Sequence, residues 1–422
     1  MSQQYREQLE KIGKRSWFWK LLGGDRVSDV YISFVKMHAY NCMFTSCRSM
    51  FINTLMFRLT GNDSLVMRMN MLQFAFTPFA YTIGAHFIRK HSLPKSARVG
   101  MIFSLLLYLT FFAGMQHLEL LVPLLAAINA ASFGFYALAN QAMTVEYSSD
   151  VTRDTALSMN GVISGAISMI FPVINGWVIS VMPGIAGYYL VFGIAGIIAF
   201  FALHQSRKLP ELCVGGEMHF LHTLKTSLKN KAFLLAGIGE SFKGVREGVF
   251  TFFLNILLFE CIQSEFLVGV NTFLVAITSI FGCWLMGRLV RPNNRIRYMV
   301  ASLSGLLMIT VALLFRLNAY TVMLMSVCNS FLTAFTLNAS SSMQFYVVSR
   351  MPDYHAKTSE YLAIKAFFLA AGRVTGVWIV SIMPSSTYGS VIGLLCITLL
   401  QFGMPLCYRI AIRLANQMVL QE

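Results

Sequence analysis

Long apolar segments follow one another through almost the whole chain, from about residue 30 to residue 410, with only short polar stretches between them. A bilayer core of about 30 Å needs roughly 20 apolar residues of helix to cross it, and backbone polar groups inside it must be bonded internally. Only 12% of the 422 residues are charged, which is about half the roughly 25% found in soluble domains. We therefore expect an all-α membrane protein with almost all of its mass in the bilayer.

Twelve segments qualify as candidate membrane spans. The first is the most polar, because it contains Lys36, His38, Asn41 and Arg48. With an uncertainty of a few residues at each end, the spans cover residues 30–57, 65–88, 97–115, 119–144, 155–182, 187–205, 231–259, 266–289, 297–315, 320–346, 359–382 and 388–410.

Basic residues are distributed unevenly between the two sides of this arrangement. Of the 33 Lys and Arg residues, 24 lie in the terminal segments, in the loops after even-numbered spans or at the adjoining helix ends, whereas three lie in the opposite loops. The positive-inside rule then predicts that both termini are cytoplasmic in a multi-pass protein of the cell membrane. Attraction of this basic rim to an anionic leaflet accounts for the net charge of +15, so no nucleic-acid partner is expected.

The second half of the sequence repeats landmarks of the first. Residues 177–183 (WVISVMP) are matched 201 positions later by residues 378–384 (WIVSIMP). Four further pairs are 198 positions apart: Gly84 and Gly282, Pro94 and Pro292, Arg48 and Arg246, and Asn140 and Asn338. We therefore predict a cytoplasmic segment (1–29), a six-helix bundle (30–205), a cytoplasmic linker (206–230), a second six-helix bundle (231–412) and a short tail (413–422).

Two parallel six-helix halves joined by a basic cytoplasmic loop resemble the major facilitator superfamily (MFS). The loop after the second span, residues 84–90 (GAHFIRK), keeps the glycine and one arginine of the pattern typical of that family, and residues 282–288 (GCWLMGR) occupy the equivalent place in the second half. The resemblance implies two halves packed about an axis along the membrane normal, with a substrate site near the midplane between them. It further implies that helices 1, 4, 7 and 10 line that cavity.

Charged residues inside the predicted spans indicate where such a site lies. A Lys or Arg at a helix centre costs roughly 2.5–3.5 kcal/mol, so six of them facing lipid would exceed the total stability of about 5–15 kcal/mol of a typical protein. Most must therefore face a cavity or a partner group. The six cations are Lys36, Arg48, Lys243, Arg246, Lys365 and Arg373, and two acids, Glu240 and Glu247, accompany them.

Helical periodicity groups these side chains. His38, Asn41 and Arg48 share one face of the first span, whereas Lys243 lies three residues after Glu240 and four before Glu247, so either acid can pair with it. Whether Lys36, Lys243 and Lys365 are functional or structural stays open on sequence grounds. The predicted substrate-binding residues are Arg48, Arg246, Asn41, His38, Asn129, Asn338 and Arg373, and the predicted coupling residues are Glu240, Glu247 and Lys243.

An interior with more cations than acids favours anions, and Arg provides a planar fork that fits carboxylate or phosphate groups. We therefore expect a secondary active transporter of an anionic or zwitterionic organic solute, with Arg48 and Arg246 as the clamp. Proton coupling through Glu240 or Glu247 is one option, and a uniporter or an anion exchanger needs no such acid.

A lipid or glycolipid flippase and a multidrug exporter of the same fold are the alternatives. The chain has no G-x-x-x-x-G-K-[ST] loop, no HExxH and no Cys/His zinc spacing, so we expect no enzyme activity, cofactor or metal. We expect a monomer in the lipid bilayer.

Overall fold

The computed structural model describes most of the chain as α-helix. The described residues are 13, 16–60, 63–182, 185–211, 220–262, 265–315, 318–381 and 387–419. Their helices are α1 (Trp17–Leu21), α2 (Asp29–Thr60), α3 (Asp63–Lys90), α4 (Leu93–Ala113), α5 (Leu118–Glu146), α6 (Asp150–Val181), α7 (Ala186–Ser206), α8 (Phe220–Lys229), α9 (Lys231–Ile262), α10 (Glu265–Leu289), α11 (Arg295–Phe315), α12 (Ala319–Val348), α13 (Tyr354–Ser381), α14 (Thr387–Leu400) and α15 (Gly403–Val419).

Each of the first eleven predicted spans coincides with one of these helices, with ends shifted by a few residues. Within the described residues, seven helical segments are long and apolar enough to cross a membrane by length and composition alone. Helices α2, α3, α9, α10 and α13 are not among them, and α9 and α13 carry most of the intramembrane charges. The twelve-span count therefore stays a prediction.

The last predicted span, 388–410, is not one continuous helix. A turn at Gln401 and Phe402 separates α14 from α15. Pro405 has no backbone N–H to offer the Gln401 carbonyl one turn earlier, so the helical hydrogen bonding is broken there. At Gly403 a side chain would strike the Phe242 ring of α9, which fixes the position of the turn.

The helices pack into two groups. Helices α2–α7, the N-terminal group, contact mainly each other, and α9–α15, the C-terminal group, do the same. The groups meet most extensively where α6 packs against α10 and where α3 packs against α13. Helix α8 lies within the predicted linker and packs on α9 and α13.

Small residues allow α9 and α13 to approach closely within the C-terminal group. A methyl group at Gly372 would overlap the backbone carbonyl of Ser241, and one at Gly376 would overlap that of Val245. Close backbone approach of this kind provides van der Waals packing where lipid offers no hydrophobic driving force. It also fixes the side chains that α9 and α13 direct inward.

Buried ion pairs join the two groups at the end of the bundle where α3 ends and α13 begins. Arg89 pairs with Glu360, whose side chain is fully buried. Arg295, the first residue of α11, binds Asp154 (Nη2–Oδ2 2.9 Å) and Asp150 (Nη1–Oδ1 2.9 Å) in the first turns of α6. Both bridges therefore connect an N-terminal helix with a C-terminal one.

The two bridges use the same residue types in opposite directions. In one, the arginine (Arg89) belongs to the N-terminal group and the acid (Glu360) to the C-terminal group. In the other, the arginine (Arg295) belongs to the C-terminal group and the acid (Asp154) to the N-terminal group. Each group thus contributes one arginine and one acid at the same end of the molecule.

We expect Asp154→Asn to lower the thermal unfolding temperature of the detergent-solubilised protein strongly, since removing one partner of a buried pair costs about 3–5 kcal/mol. The control is Asp353→Asn, which breaks the exposed Asp353–Lys357 pair (Nζ–Oδ2 3.0 Å) and should cost less than about 1 kcal/mol. Tryptophan fluorescence during heating measures both. Equal shifts for the two variants would contradict the assigned role of the buried bridge.

Candidate functional site

A polar cavity of about 260 Å³ lies between the two helix groups. Helices α5 and α6 supply one wall, and α9, α12 and α13 supply the other. Most of the lining consists of amide, hydroxyl and amine groups, from Asn140, Gln141, Thr144, Leu157, Asn160, Gly161, Ser164, Lys243, Asn338, Ser341, Phe345, Lys365 and Leu369.

Two lysine ammonium groups face this cavity from the C-terminal group. Lys243 donates a hydrogen bond to the Ser341 hydroxyl (3.0 Å), and Lys365 donates to the Gln141 side-chain carbonyl of the opposite wall (3.3 Å). The Lys365 Nζ also lies 4.8 Å from the centre of the Phe345 ring. Both side chains are buried, with 8% and 5% of their residue surface exposed.

One carboxylate lies between the two lysines. Glu240 is fully buried, and its oxygens are 3.8 Å from Lys243 Nζ and 3.7 Å from Lys365 Nζ. The Tyr408 hydroxyl donates to it from α15 (3.1 Å). Glu240, Lys243 and Lys365 together carry a charge of +1 when all three are ionised.

The second predicted coupling acid, Glu247, lies seven residues after Glu240, about two turns further along α9. It accepts a hydrogen bond from Arg373 (2.7 Å) and lies 4.0 Å from Lys243 Nζ. The Arg373 guanidinium also stacks over Phe74 of α3, 5.6 Å from the ring centre. The predicted substrate residue Arg373 and the predicted coupling residue Glu247 thus pair with each other, and neither is among the residues that line the cavity.

Of the two arginines predicted to clamp a substrate, only Arg246 has a described side chain. Arg246 is 2% exposed and donates to Asn329 and Thr333 of α12, away from the cavity lining. Arg48 belongs to the backbone of α2, but its side chain lies outside the described residues.

The remaining predicted residues divide between the cavity and the packing around it. Asn338 lines the cavity, and His38 reaches it indirectly, through a hydrogen bond with Ser164 (3.2 Å). Asn129 donates to Gln73 (2.6 Å) and so joins α5 to α3. Asn41 is buried, with 5% of its surface exposed.

Sequence analysis identified Lys365 as an intramembrane cation but did not assign it to the site, and it did not include Asn160 or Ser164. One feature of the sequence did point to the cavity: Asn140 and Asn338, which are related by the 198-residue repeat, both line it. Asn160 and Ser164 are four residues apart on α6 and therefore share its inner face, but two polar residues in an apolar helix are a weak signal.

Comparison with known proteins identifies the fold. The sequence model described as "Major Facilitator Superfamily" matches residues 39–377. YqgE from Bacillus subtilis (strain 168) is 23% identical over 369 residues, which are 85% of this chain and 83% of that protein.

Two solved structures share the architecture at low sequence identity. The human organic anion transporter MFSD10 (TETRAN) superposes with a TM-score of 0.66 at 14% identity, covering 92% of this chain and 99% of MFSD10. A bacterial homologue of the iron transporter ferroportin, in its outward-facing state, gives 0.70 at 12% identity and the same coverage. The protein is thus a multi-pass membrane transporter of a small solute rather than an enzyme, and the chain belongs to the major facilitator superfamily.

Proposed function

We propose that this protein carries an anionic or zwitterionic organic solute across the cell membrane by alternating access, and that Lys243 and Lys365 bind the anionic group. The observation that carries the proposal is the pair of buried ammonium groups that face one cavity and share one carboxylate, Glu240. Arg246, which the sequence predicts in a clamp with Arg48, donates hydrogen bonds to Asn329 and Thr333 of α12, and its part in substrate binding stays a prediction.

Electrostatics favour an anionic cargo in this cavity. A charge removed from water costs several kcal/mol unless a partner compensates it. Two carboxylates, Glu240 and Glu247, compensate the three cations of the cluster, Lys243, Lys365 and Arg373, only in part. An incoming carboxylate or phosphate would supply the missing charge. A lipophilic cation would add to the repulsion, which argues against a multidrug exporter of cations.

The size and lining of the cavity favour a cargo of modest size with both polar and apolar parts. Amide, hydroxyl and amine side chains line it together with about as much apolar surface, to which Leu157, Phe345 and Leu369 contribute. The structural neighbour MFSD10 is an organic anion transporter by its description, so cargo of this class is compatible with the fold. We propose a monomer, because a cavity between the two halves of one chain needs no second copy.

We also propose twelve spans in two parallel halves, 30–205 and 231–412, with both termini in the cytoplasm. The helix packing supports two groups, and the landmarks matched 198 to 201 positions apart support a repeat of the first half in the second. The end at which the two buried ion pairs lie carries the basic loops that the positive-inside rule assigns to the cytoplasm.

Glu240 is the proposed proton-coupling residue. An anion that binds Lys243 and Lys365 competes with Glu240 for its only cationic contacts within 4.0 Å among the described side chains. The buried carboxylate is then less well compensated and gains from taking up a proton. Anion and proton would therefore bind together, which is the requirement for symport.

We expect Lys365→Gln and Lys243→Gln each to weaken anion binding about 10- to 100-fold, because each removes a charge-assisted hydrogen bond of about 1.5–3 kcal/mol. The measurement is thermal stabilisation of purified protein by a panel of monocarboxylates, dicarboxylates, phosphate esters and lipophilic cations. Lys95→Gln, at the surface pair with Glu211, is the matched control and should leave the stabilisation unchanged. Stabilisation by lipophilic cations alone, or by anions equally in all variants, would refute the assignment.

We expect Glu240→Gln to retain exchange of the bound anion but to lose its accumulation driven by a proton gradient. Proteoliposomes loaded with the anion that best stabilises the protein distinguish the two modes of transport. Glu247→Gln is the comparison, since Glu247 is paired with Arg373 and should affect gradient-driven uptake less. Undiminished proton-driven accumulation by Glu240→Gln would exclude Glu240 as the coupling site.

A further inference from the structure

An imidazole, a thiol and a hydroxyl meet beside the cavity, between α2 and α6. His38 Nε2 lies 3.4 Å from Cys42 Sγ and 3.2 Å from Ser164 Oγ, and the Sγ and Oγ atoms are 3.4 Å apart. The three atoms thus form a nearly equilateral triangle. Ser164 lines the cavity, so the triangle lies at its wall.

The other imidazole nitrogen is held by the protein. His38 Nδ1 is 2.8 Å from the Tyr136 hydroxyl of α5, and the two rings stack with centres 6.1 Å apart. In the tautomer whose Nδ1–H donates to Tyr136, Nε2 carries a lone pair directed toward Cys42 and Ser164. Histidines that bind metals are oriented in the same way, by a hydrogen bond from the nitrogen that does not bind the metal.

The triangle has the dimensions of one face of a metal tetrahedron. With bonds of about 2.3 Å to sulfur and about 2.0–2.2 Å to nitrogen or oxygen, tetrahedral ligands lie about 3.4–3.6 Å apart. The observed separations are shorter by about 0.2 Å, which small side-chain shifts accommodate. A water molecule would complete the tetrahedron as the fourth ligand.

We propose that His38, Cys42 and Ser164 form a binding site for a thiophilic divalent cation of the Zn²⁺ type in the cavity wall. On binding, the Cys42 thiol releases its proton to water and the resulting thiolate bonds to the metal. Among the described residues no three His, Cys, Asp or Glu side chains cluster together, and here a serine hydroxyl is the third ligand. This weak ligand implies a reversible site.

The site is independent of the lysine cluster. His38 and Cys42 are four residues apart on one face of α2, and α2 packs directly against α6, which carries Ser164. All three ligands belong to the N-terminal group, so rocking of the two groups would leave them together. Binding of a cation at this site can therefore be tested independently of anion transport.

The test is titration of the purified full-length protein with Co²⁺, whose bond to a thiolate gives a charge-transfer absorption band. We expect a band that saturates at one ion per chain, is displaced by Zn²⁺ and disappears in Cys42→Ser. Tyr136→Phe should keep the band but weaken binding about 10- to 100-fold. Cys396→Ser and Cys407→Ser, which alter partly buried cysteines elsewhere, are the controls and should keep it unchanged.

A second measurement covers the case in which Cys42→Ser fails to fold. In the unaltered protein, Zn²⁺ should slow N-ethylmaleimide labelling of Cys42 at least 10-fold, as followed by peptide mass spectrometry, without slowing labelling of Cys396. The absence of a cobalt band in the folded wild type, its survival in folded Cys42→Ser, or equal labelling with and without Zn²⁺ would overturn the proposal.

Discussion

The cost of placing a charge inside a membrane is the constraint on which this structure depends. Every intramembrane ion of the C-terminal group whose side chain is described has been given partners: Glu240 with two lysines, Glu247 with Arg373, and Arg246 with the polar side chains of Asn329 and Thr333. Close packing of α9 on α13 through glycines brings most of these groups within reach of one another. The cluster at the cavity keeps one more ammonium group than carboxylate, and that imbalance is what an anionic cargo would correct.

The same constraint separates the parts of the molecule that hold it together from the part that binds. At one end, Arg89–Glu360 and Arg295–Asp154 are buried pairs with balanced charge, and they join the two helix groups. At the cavity, Lys365 reaches the N-terminal group through a weaker contact, its 3.3 Å hydrogen bond to Gln141. Alternating access requires the two end bridges to break and re-form together. It also requires the lysines at the cavity to exchange a contact with the protein for a contact with the cargo. Both end bridges join the two helix groups at the same end of the molecule, so a rocking motion that opened this end would break them together.

Apolar length predicted most of the helices, because the bilayer imposes a minimum span that the sequence must meet. It did not predict the break before α15, which arises from Pro405 and from the close approach of Gly403 to Phe242. The charged residues were identified correctly as exceptional, but their assignment to the site was harder. Lys365 and Arg246 look equivalent in a sequence, as single cations in apolar helices. Which of them faces the cavity depends on how α9 and α13 are rotated about their axes. It also depends on the polar partners of α12, since Asn329 and Thr333 accept hydrogen bonds from Arg246. His38 was selected because it shares a helical face with Asn41 and Arg48, whereas its partner Ser164 lies 126 residues away and could not be found by spacing.

Anion transport by this chain would depend on one anionic group held between Lys243 and Lys365. The most direct measurement of this interaction is an experimental structure of the protein with a halogenated organic anion bound, because the halogen's anomalous signal marks the position of the ligand. We predict ligand oxygens about 2.7–3.2 Å from the Nζ atoms of both lysines, with the body of the ligand between α5 and α12. A ligand held instead at Arg246, or one that leaves both lysines in contact with Glu240 alone, would contradict this prediction.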